Sequence, residues 1–485
     1  QASLHSSTQL RTRRPRTRLG KVMPHASEPC ARPTLLSLLA WACSCSVASG
    51  WSVLVMGGTG FRGHFTSELL VRSGHNVTVL SRGKPYWGVL EKLKEKGVVH
   101  WSCNRTIEVD SVAGPLSTTT GLATCNELVN SSTAFDAVVD FSSKHPDQLK
   151  QAIKLLSGRV GFYIFISNHG VYDVSKNATH DEPTLFESDA KRPGKEVSPL
   201  ERFRLKEQNL KGNDYLECEE ELLHQYNSGG FPFAVLRLAN SFGPKENSLR
   251  YWLLHLWIRA HVALRLPMHL DETMLDTPIS MTYTPDIAQA VVRVMAKATG
   301  DVCCAEEVQG QAFNLACEEA PNQRTLYNYI AEPMGLNYVE TVEMSHNKSI
   351  VLYPELVRGP LNTNKALQVL KWAPTDLQKA ARSVARFYDR VMLDETRHKW
   401  EREIMYMKCK KMLSEDGPRF VSWIRSFYEE RRKTELYDEL EDEDEDDIVL
   451  YRSSPEGAAG GGRRKTKKRE RRRKGGRRGA AKDDL

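Results

Sequence analysis

Apolar and polar positions change period repeatedly along the middle of the chain. Trp51-Ser-Val-Leu-Val-Met56 is a short apolar run rich in β-formers, as a strand buried on both faces requires. A glycine-rich turn comes next. Apolar residues at Phe65, Leu69 and Leu70 then recur at helical spacing as far as Ser73-Gly74, where the helix is expected to stop. Asn76-Val-Thr-Val-Leu80 predicts a second strand and Phe135 to Phe141 another. A helix through Leu149, Ile153 and Leu156 leads into a strand from Val160 to Ser167. Strands alternating with helices in this way predict an α/β fold with a doubly wound parallel sheet.

The length of 485 residues allows two or three domains. The net charge of +7 is not spread evenly. Residues 1–50 carry seven Lys/Arg against one Glu, 435–447 carry ten acids and no base, and 448–485 carry fourteen bases against four acids. The body, 51–434, is therefore nearly neutral, which argues against a strong nucleic-acid surface on it. Arg463 to Arg478 holds twelve bases, and runs of like charge repel themselves, so 435–485 reads as a disordered acidic-then-basic tail. Such a tail is either solvated or an arm for RNA or nuclear import.

Residues 1–50 read as a targeting segment. Met23 is a candidate start, Leu35 to Trp41 is a short apolar run, and Ser46-Val47-Ala48 offers a cleavage site. With the terminal Lys482-Asp483-Asp484-Leu485, which resembles a retrieval signal, this pattern favours the secretory pathway and endoplasmic reticulum. The alternative is a plastid or mitochondrial transit segment, since residues 1–22 are rich in Arg and Ser and lack acids. Sequons at Asn76, Asn104, Asn130, Asn177 and Asn347 add little. No later run is apolar enough to cross a bilayer. Ten cysteines include no CxxC pair, so no metal site is expected, and spacing assigns no disulfide.

The chemistry begins at Gly57-Gly-Thr59-Gly60-Phe61-Arg62-Gly63. Between a strand and a helix, such glycines permit a tight turn, a close approach of backbone to a pyrophosphate, and close helix–strand packing. The helix N-terminus then receives the phosphates. Gly57, Thr59, Gly60, Phe61, Arg62 and Gly63 are the expected dinucleotide-binding residues. The second strand ends in Ser81-Arg82-Gly83-Lys84. An acid here would suit NAD, whereas a base suits the 2′-phosphate of NADP. Arg82 therefore tilts the cofactor to NADP, with NAD the alternative, and Lys84 and Arg62 are further candidates for that phosphate.

These pieces resemble the extended short-chain dehydrogenase/reductase family, the NAD-dependent epimerase/dehydratase group, over about residues 51–390. Phe165-Ile-Ser-Asn-His-Gly-Val-Tyr172 is similar to the strand entering that family's active site. Leu236-Arg-Leu-Ala-Asn-Ser-Phe-Gly-Pro244, Phe313-Asn-Leu-Ala316 and Leu370-Lys-Trp-Ala-Pro-Thr375 resemble its later motifs. Within the group the texture is similar to a branch containing the chloroplast stem-loop RNA-binding proteins. The resemblance implies a Rossmann domain over 51–400 with a smaller substrate lobe from about 242, and then a helical extension over 401–434. It also implies a sugar-nucleotide or similar polar substrate, with homodimerisation through a helix pair common in the family.

The family's redox chemistry needs a Ser or Thr, a Tyr and a Lys, the last two four residues apart on one helix face. Here Ser167 and Asn168 stand at the Ser/Thr place, and Lys211 and Tyr215 have the right spacing in exchanged order. The other register, with Tyr215 as the catalytic Tyr, puts Glu219 where Lys belongs. The set is degenerate in either register. Two readings stay open: an NAD(P)-dependent enzyme using Ser167, Asn168, Lys211 and Tyr215 in altered roles, or a non-catalytic dinucleotide-binding protein that engages RNA or a protein partner. Arg250 and Arg259 are candidates for substrate phosphates, or solvated helix residues.

Overall fold

The computed structural model describes residues 50–434 apart from 85, 106–124, 176–182, 195–197, 300–301 and 354–358. The expectations for a leader in 1–49 and for the acidic-then-basic tail with its retrieval-like end fall outside those residues.

The strands are β1 Ser52–Met56, β2 Asn76–Ser81, β3 Val99–Ser102, β4 Phe135–Asp140, β5 Val160–Asn168, β6 Phe233–Leu238, β7 Asn240–Phe242, β8 Met268–Asp271, β9 Met281–Tyr283, β10 Gln311–Leu315 and β11 Thr341–Met344. Seven of them form one parallel sheet in the order β10-β6-β5-β4-β1-β2-β3. The order reverses at β1, so a crevice opens between β1 and β4 at the carboxyl ends of the strands. Phe141 N–H donates to Met56 O at 2.9 Å and Gly57 N–H to Leu80 O at 2.8 Å, which holds the three strand ends level. The sheet is a Rossmann sheet, and its central strands are buried on both faces. Val53, Val55, Val77, Val79, Ala137 and Ile164 fill one core, while Leu54, Met56, Leu80, Val138 and Phe165 fill the other. Each such side chain stabilises the fold by roughly 1.5–3 kcal/mol.

The helices that shape the crevice and the core around it are α1 His64–Arg72, α2 Pro146–Leu156, α3 Leu210–Asn227, α4 Arg250–Leu264, α5 Thr284–Ala298, α6 Leu377–Leu393, α7 Lys399–Met412 and α8 Gly417–Thr434. The turn into α1 needs its glycines. Gly57 has φ +82°, and a Cβ on Gly63 would lie 2.6 Å from Gly57 O. Trp252 of α4 stacks on Tyr388 of α6 at 5.0 Å. Met405 and Cys409 of α7 and Phe420, Ile424 and Tyr428 of α8 join that same core. The last two helices thus pack into the body. Among the described residues no helix is long and apolar enough to cross a membrane, and no His/Cys/Asp/Glu group suits a metal. Cys103 and Cys125 are paired as a disulfide, with Cα atoms 4.9 Å apart.

One buried ion pair closes the sheet's carboxyl edge. Arg105, beyond β3, reaches Asp140 Oδ1 at the end of β4 at 3.1 Å. It also donates to Ser142 Oγ at 2.6 Å, Ser143 Oγ at 2.8 Å and Gln148 O at 2.9 Å. Tyr163 OH donates to Asp140 Oδ2 at 2.7 Å. Burial opposes ionisation of Asp140, but Arg105, then Ser143 and Tyr163, hold its carboxyl below the usual range. Arg105→Met would strand that carboxylate and is expected to cost about 3 kcal/mol or more at pH 7, read from urea midpoints. Without Arg105 the carboxyl titrates higher, so the loss should shrink as pH falls and Asp140 takes up a proton. A loss under about 1 kcal/mol at pH 7 would contradict this role.

Candidate functional site

The crevice is built from the glycine loop upward. Gly60 and Gly63 amides are used inside the turn, each donating at 3.0 Å. The amides of Thr59, Phe61 and Arg62 make no hydrogen bond among the described residues. α1 begins at His64 with no side-chain cap and no acid in its first turn. A Cβ on Gly60 would meet nothing nearer than Gly57 O at 3.3 Å, so the space beside the loop is open. Thr59 and Phe61 are buried against the body. His64 is held neutral, its pKa lowered to about 3 by burial and then by Lys245.

Six cations gather around this loop. Arg82 and Lys84 are exposed beyond β2, where Gly83 turns the chain at φ +64°. Arg62 takes a different course from the one its neighbourhood suggested. It is half-buried and lies within electrostatic reach of Tyr215, Arg250 and Glu246, whereas Arg82 is exposed. Lys144 comes just after β4 and feels both Arg62 and Arg82. Lys211, one turn before Tyr215 on α3, has its pKa lowered to about 8 by desolvation, then by Arg62, Lys144 and Arg250. Arg250 opens α4, with Nε 2.8 Å from Glu246 Oε1 and Nη2 donating to Ser241 O at 2.8 Å. It lies over the Tyr353 ring at 4.4 Å and is not a solvated helix residue. Arg62, Lys144 and Lys211 have no carboxylate within ion-pair distance among the described residues.

The residues proposed for proton transfer are placed unevenly. Ser167, the penultimate residue of β5, is fully buried, and its Oγ donates to Glu219 Oε1 at 2.5 Å. Glu219 is clamped by Arg237, Nη2 to Oε2 at 2.7 Å and Nε to Oε1 at 3.1 Å. The Ser167 hydroxyl, expected to position a substrate oxygen, is in this structure bonded within the core. Asn168 Oδ1 accepts from Gly170 N–H at 2.8 Å and caps the turn His169–Tyr172. A Cβ on Gly212 would fall 2.1 Å from Gly170 O, so these two glycines set how closely α3 lies on that turn. The approach buries Tyr215, whose phenol burial pushes up while Arg62 opposes. Tyr215 is thus a crevice-wall residue, not a surface one. Lys211 is exposed at the crevice mouth.

Two of the later motifs meet the 165–172 segment beneath this wall. Arg237 Nη1 donates to Tyr172 OH at 3.0 Å, and Tyr172 OH donates to Asn314 Oδ1 at 2.6 Å. Glu219, Arg237, Tyr172 and Asn314 form one buried cluster that spacing alone does not reveal, although each lies in or beside a recognisable motif. Arg259 is excluded from the crevice: it pairs with Asp389 Oδ2 at 2.8 Å and lies over Phe427.

No family model matches the chain. A curated relative, the chloroplast stem-loop binding protein of 41 kDa b of Arabidopsis thaliana, is 28% identical over 283 residues. That match covers 56% of this chain, which spans only 61% of the relative's length. Among solved structures, a dTDP-glucose 4,6-dehydratase of Bacillus anthracis in complex with NAD is 14% identical, with TM-score 0.49 over 70% of this chain and 97% of that one. A UDP-glucuronic acid 4-epimerase of Bacillus cereus, in complex with UDP-glucuronic acid and NAD, is 16% identical, with TM-score 0.48 over 70% and 99%. A UDP-glucose 4-epimerase of Thermotoga maritima with UDP-glucose is 18% identical, with TM-score 0.49 over 70% and 99%. These three solved structures are a sugar-nucleotide dehydratase and two sugar-nucleotide 4-epimerases, and what this chain shares with them is the fold.

Proposed function

We propose that this chain holds NADP(H) across the carboxyl edge of its sheet, with the family's usual proton relay out of action. The observation that carries this reading is the unpaired positive charge of Arg62, Lys144 and Lys211 on a crevice whose loop amides also lack acceptors. Cations left without counter-charge in a partly desolvated cleft attract an anionic ligand. The pyrophosphate suits the amides of Phe61 and Arg62 and the uncapped start of α1. Arg82 and Lys84 suit the 2′-phosphate, with Lys144 between them and Arg62. A bound nicotinamide supplies a hydride donor or acceptor. The chain's own residues give it little help: Ser167 faces the core, and no Lys stands one turn after Tyr215. Lys211, its pKa lowered to about 8, is a cation at neutral pH and a proton acceptor only under basic conditions, and a sugar nucleotide or similar phosphorylated compound is the substrate class its neighbours Arg62 and Arg250 fit.

RNA is the second reading, favoured by the name of the Arabidopsis thaliana relative, a stem-loop binding protein, and by the twelve bases of 463–478, which lie outside the described residues. That relative is also chloroplastic, which supports the plastid address over the secretory one.

Fluorescence titration should give NADPH at least about tenfold tighter binding than NADH, and Arg82→Ala should remove most of that preference, as loss of a charged hydrogen bond implies. Binding of neither cofactor would refute the dinucleotide reading, and tighter NADH would refute the role of Arg82. RNA affinity should fall sharply, and lose its steep salt dependence, when 435–485 are removed. An unchanged affinity would refute the tail as the RNA-binding element.

A further inference from the structure

This inference rests on the dinucleotide reading and concerns which redox form is held. Arg82, at the end of β2, marks one side of the pyrophosphate-binding loop. β4 and β5, with Lys144, His169 and α3, lie on the other side. A dinucleotide whose 2′-phosphate meets Arg82 must send its nicotinamide half towards β4 and β5.

The charges at that end are of one sign. Half-buried Arg62 is within electrostatic reach of Tyr215, Lys211, Lys144 and Arg250 there. The other titratable groups that face it are neutral or already committed. His169 is held neutral by burial, then by Arg62, Lys211 and Arg250. Tyr215 stays a phenol. Glu246 already accepts from Arg250, Ser248 and the Tyr251 amide, and Asp140 is taken by Arg105. The two redox forms of the cofactor carry the same phosphates but differ at the ring, which is cationic when oxidised and neutral when reduced.

We propose that this crevice selects NADPH over NADP⁺, with Arg62 as the discriminating residue and Lys211 its main support. A like charge at about 6–8 Å in a partly screened cleft changes affinity on the order of tenfold. A tenfold tighter hold on the reduced form raises the potential of the bound two-electron couple by about 30 mV, making bound NADPH the weaker hydride donor. The same residues that invite the dinucleotide thus favour keeping it reduced over spending its hydride.

The test uses the full chain, with NADPH tracked by its fluorescence and NADP⁺ by competition against it at low salt. NADPH should bind on the order of tenfold more tightly, and the ratio should narrow as salt is raised. Arg62→Leu should bring the ratio towards one while NADPH binding changes by only a few-fold, and Lys211→Met should narrow it partway. Equal or tighter binding of NADP⁺ to the unaltered protein overturns the proposal. A ratio unmoved by both variants overturns the assignment to Arg62 and Lys211. Failure of both forms to bind is a different result, because it overturns the dinucleotide reading itself.

Discussion

A single buried carboxylate decides what this site can be. Glu219 stands on the inner face of α3, under the end of β5, bonded to Ser167 and clamped by Arg237. Burying such a pair is tolerable only because each partner satisfies the other, and removing either would strand a charge in the core. The pair fixes α3 against β5 and β6, commits the Ser167 hydroxyl, and gathers Tyr172 and Asn314 into the same cluster. With the helix held this way, Tyr215 is presented to Arg62 and Lys211 to the crevice mouth. The polar groups of the later motifs therefore brace the wall beneath the crevice instead of lining it.

Much of the fold is legible in the residue pattern because it depends on local periodicity. The apolar runs of β1, β2, β4 and β5 and the spacing of Phe65, Leu69 and Leu70 each register within a dozen residues. The glycine loop is readable for the same reason, since its turn geometry is specified by neighbours. What the pattern does not carry is long-range pairing. Ser167 meets Glu219 and Arg105 meets Asp140 across 52 and 35 positions, and Arg259 meets Asp389 across 130. Nothing local distinguishes exposed Arg82 from half-buried Arg62, which lies within electrostatic reach of a tyrosine more than a hundred residues away. Candidate chemistry read from type and spacing therefore names residues on one helix and one strand end, but does not tell which of those side chains are buried.

Holding and using a dinucleotide make different demands. Holding requires amides at a helix N-terminus and cations without partners, and the crevice has both. Using it requires a proton relay whose members address the same atom, and in the proposed reading the candidates Ser167 and Lys211 stand apart, one buried and one exposed. The buried bracing under α3 and the open positive charge above it are two sides of one arrangement.

The most direct test of that arrangement is a crystal structure of the full chain grown with saturating NADPH. The expected result has pyrophosphate oxygens on the Phe61 and Arg62 amides, the 2′-phosphate beside Arg82, and the nicotinamide ring near Tyr215, with Ser167 still bonded to Glu219. An empty crevice at saturating cofactor, or a Ser167 hydroxyl released from Glu219 and turned to the ring, would contradict it.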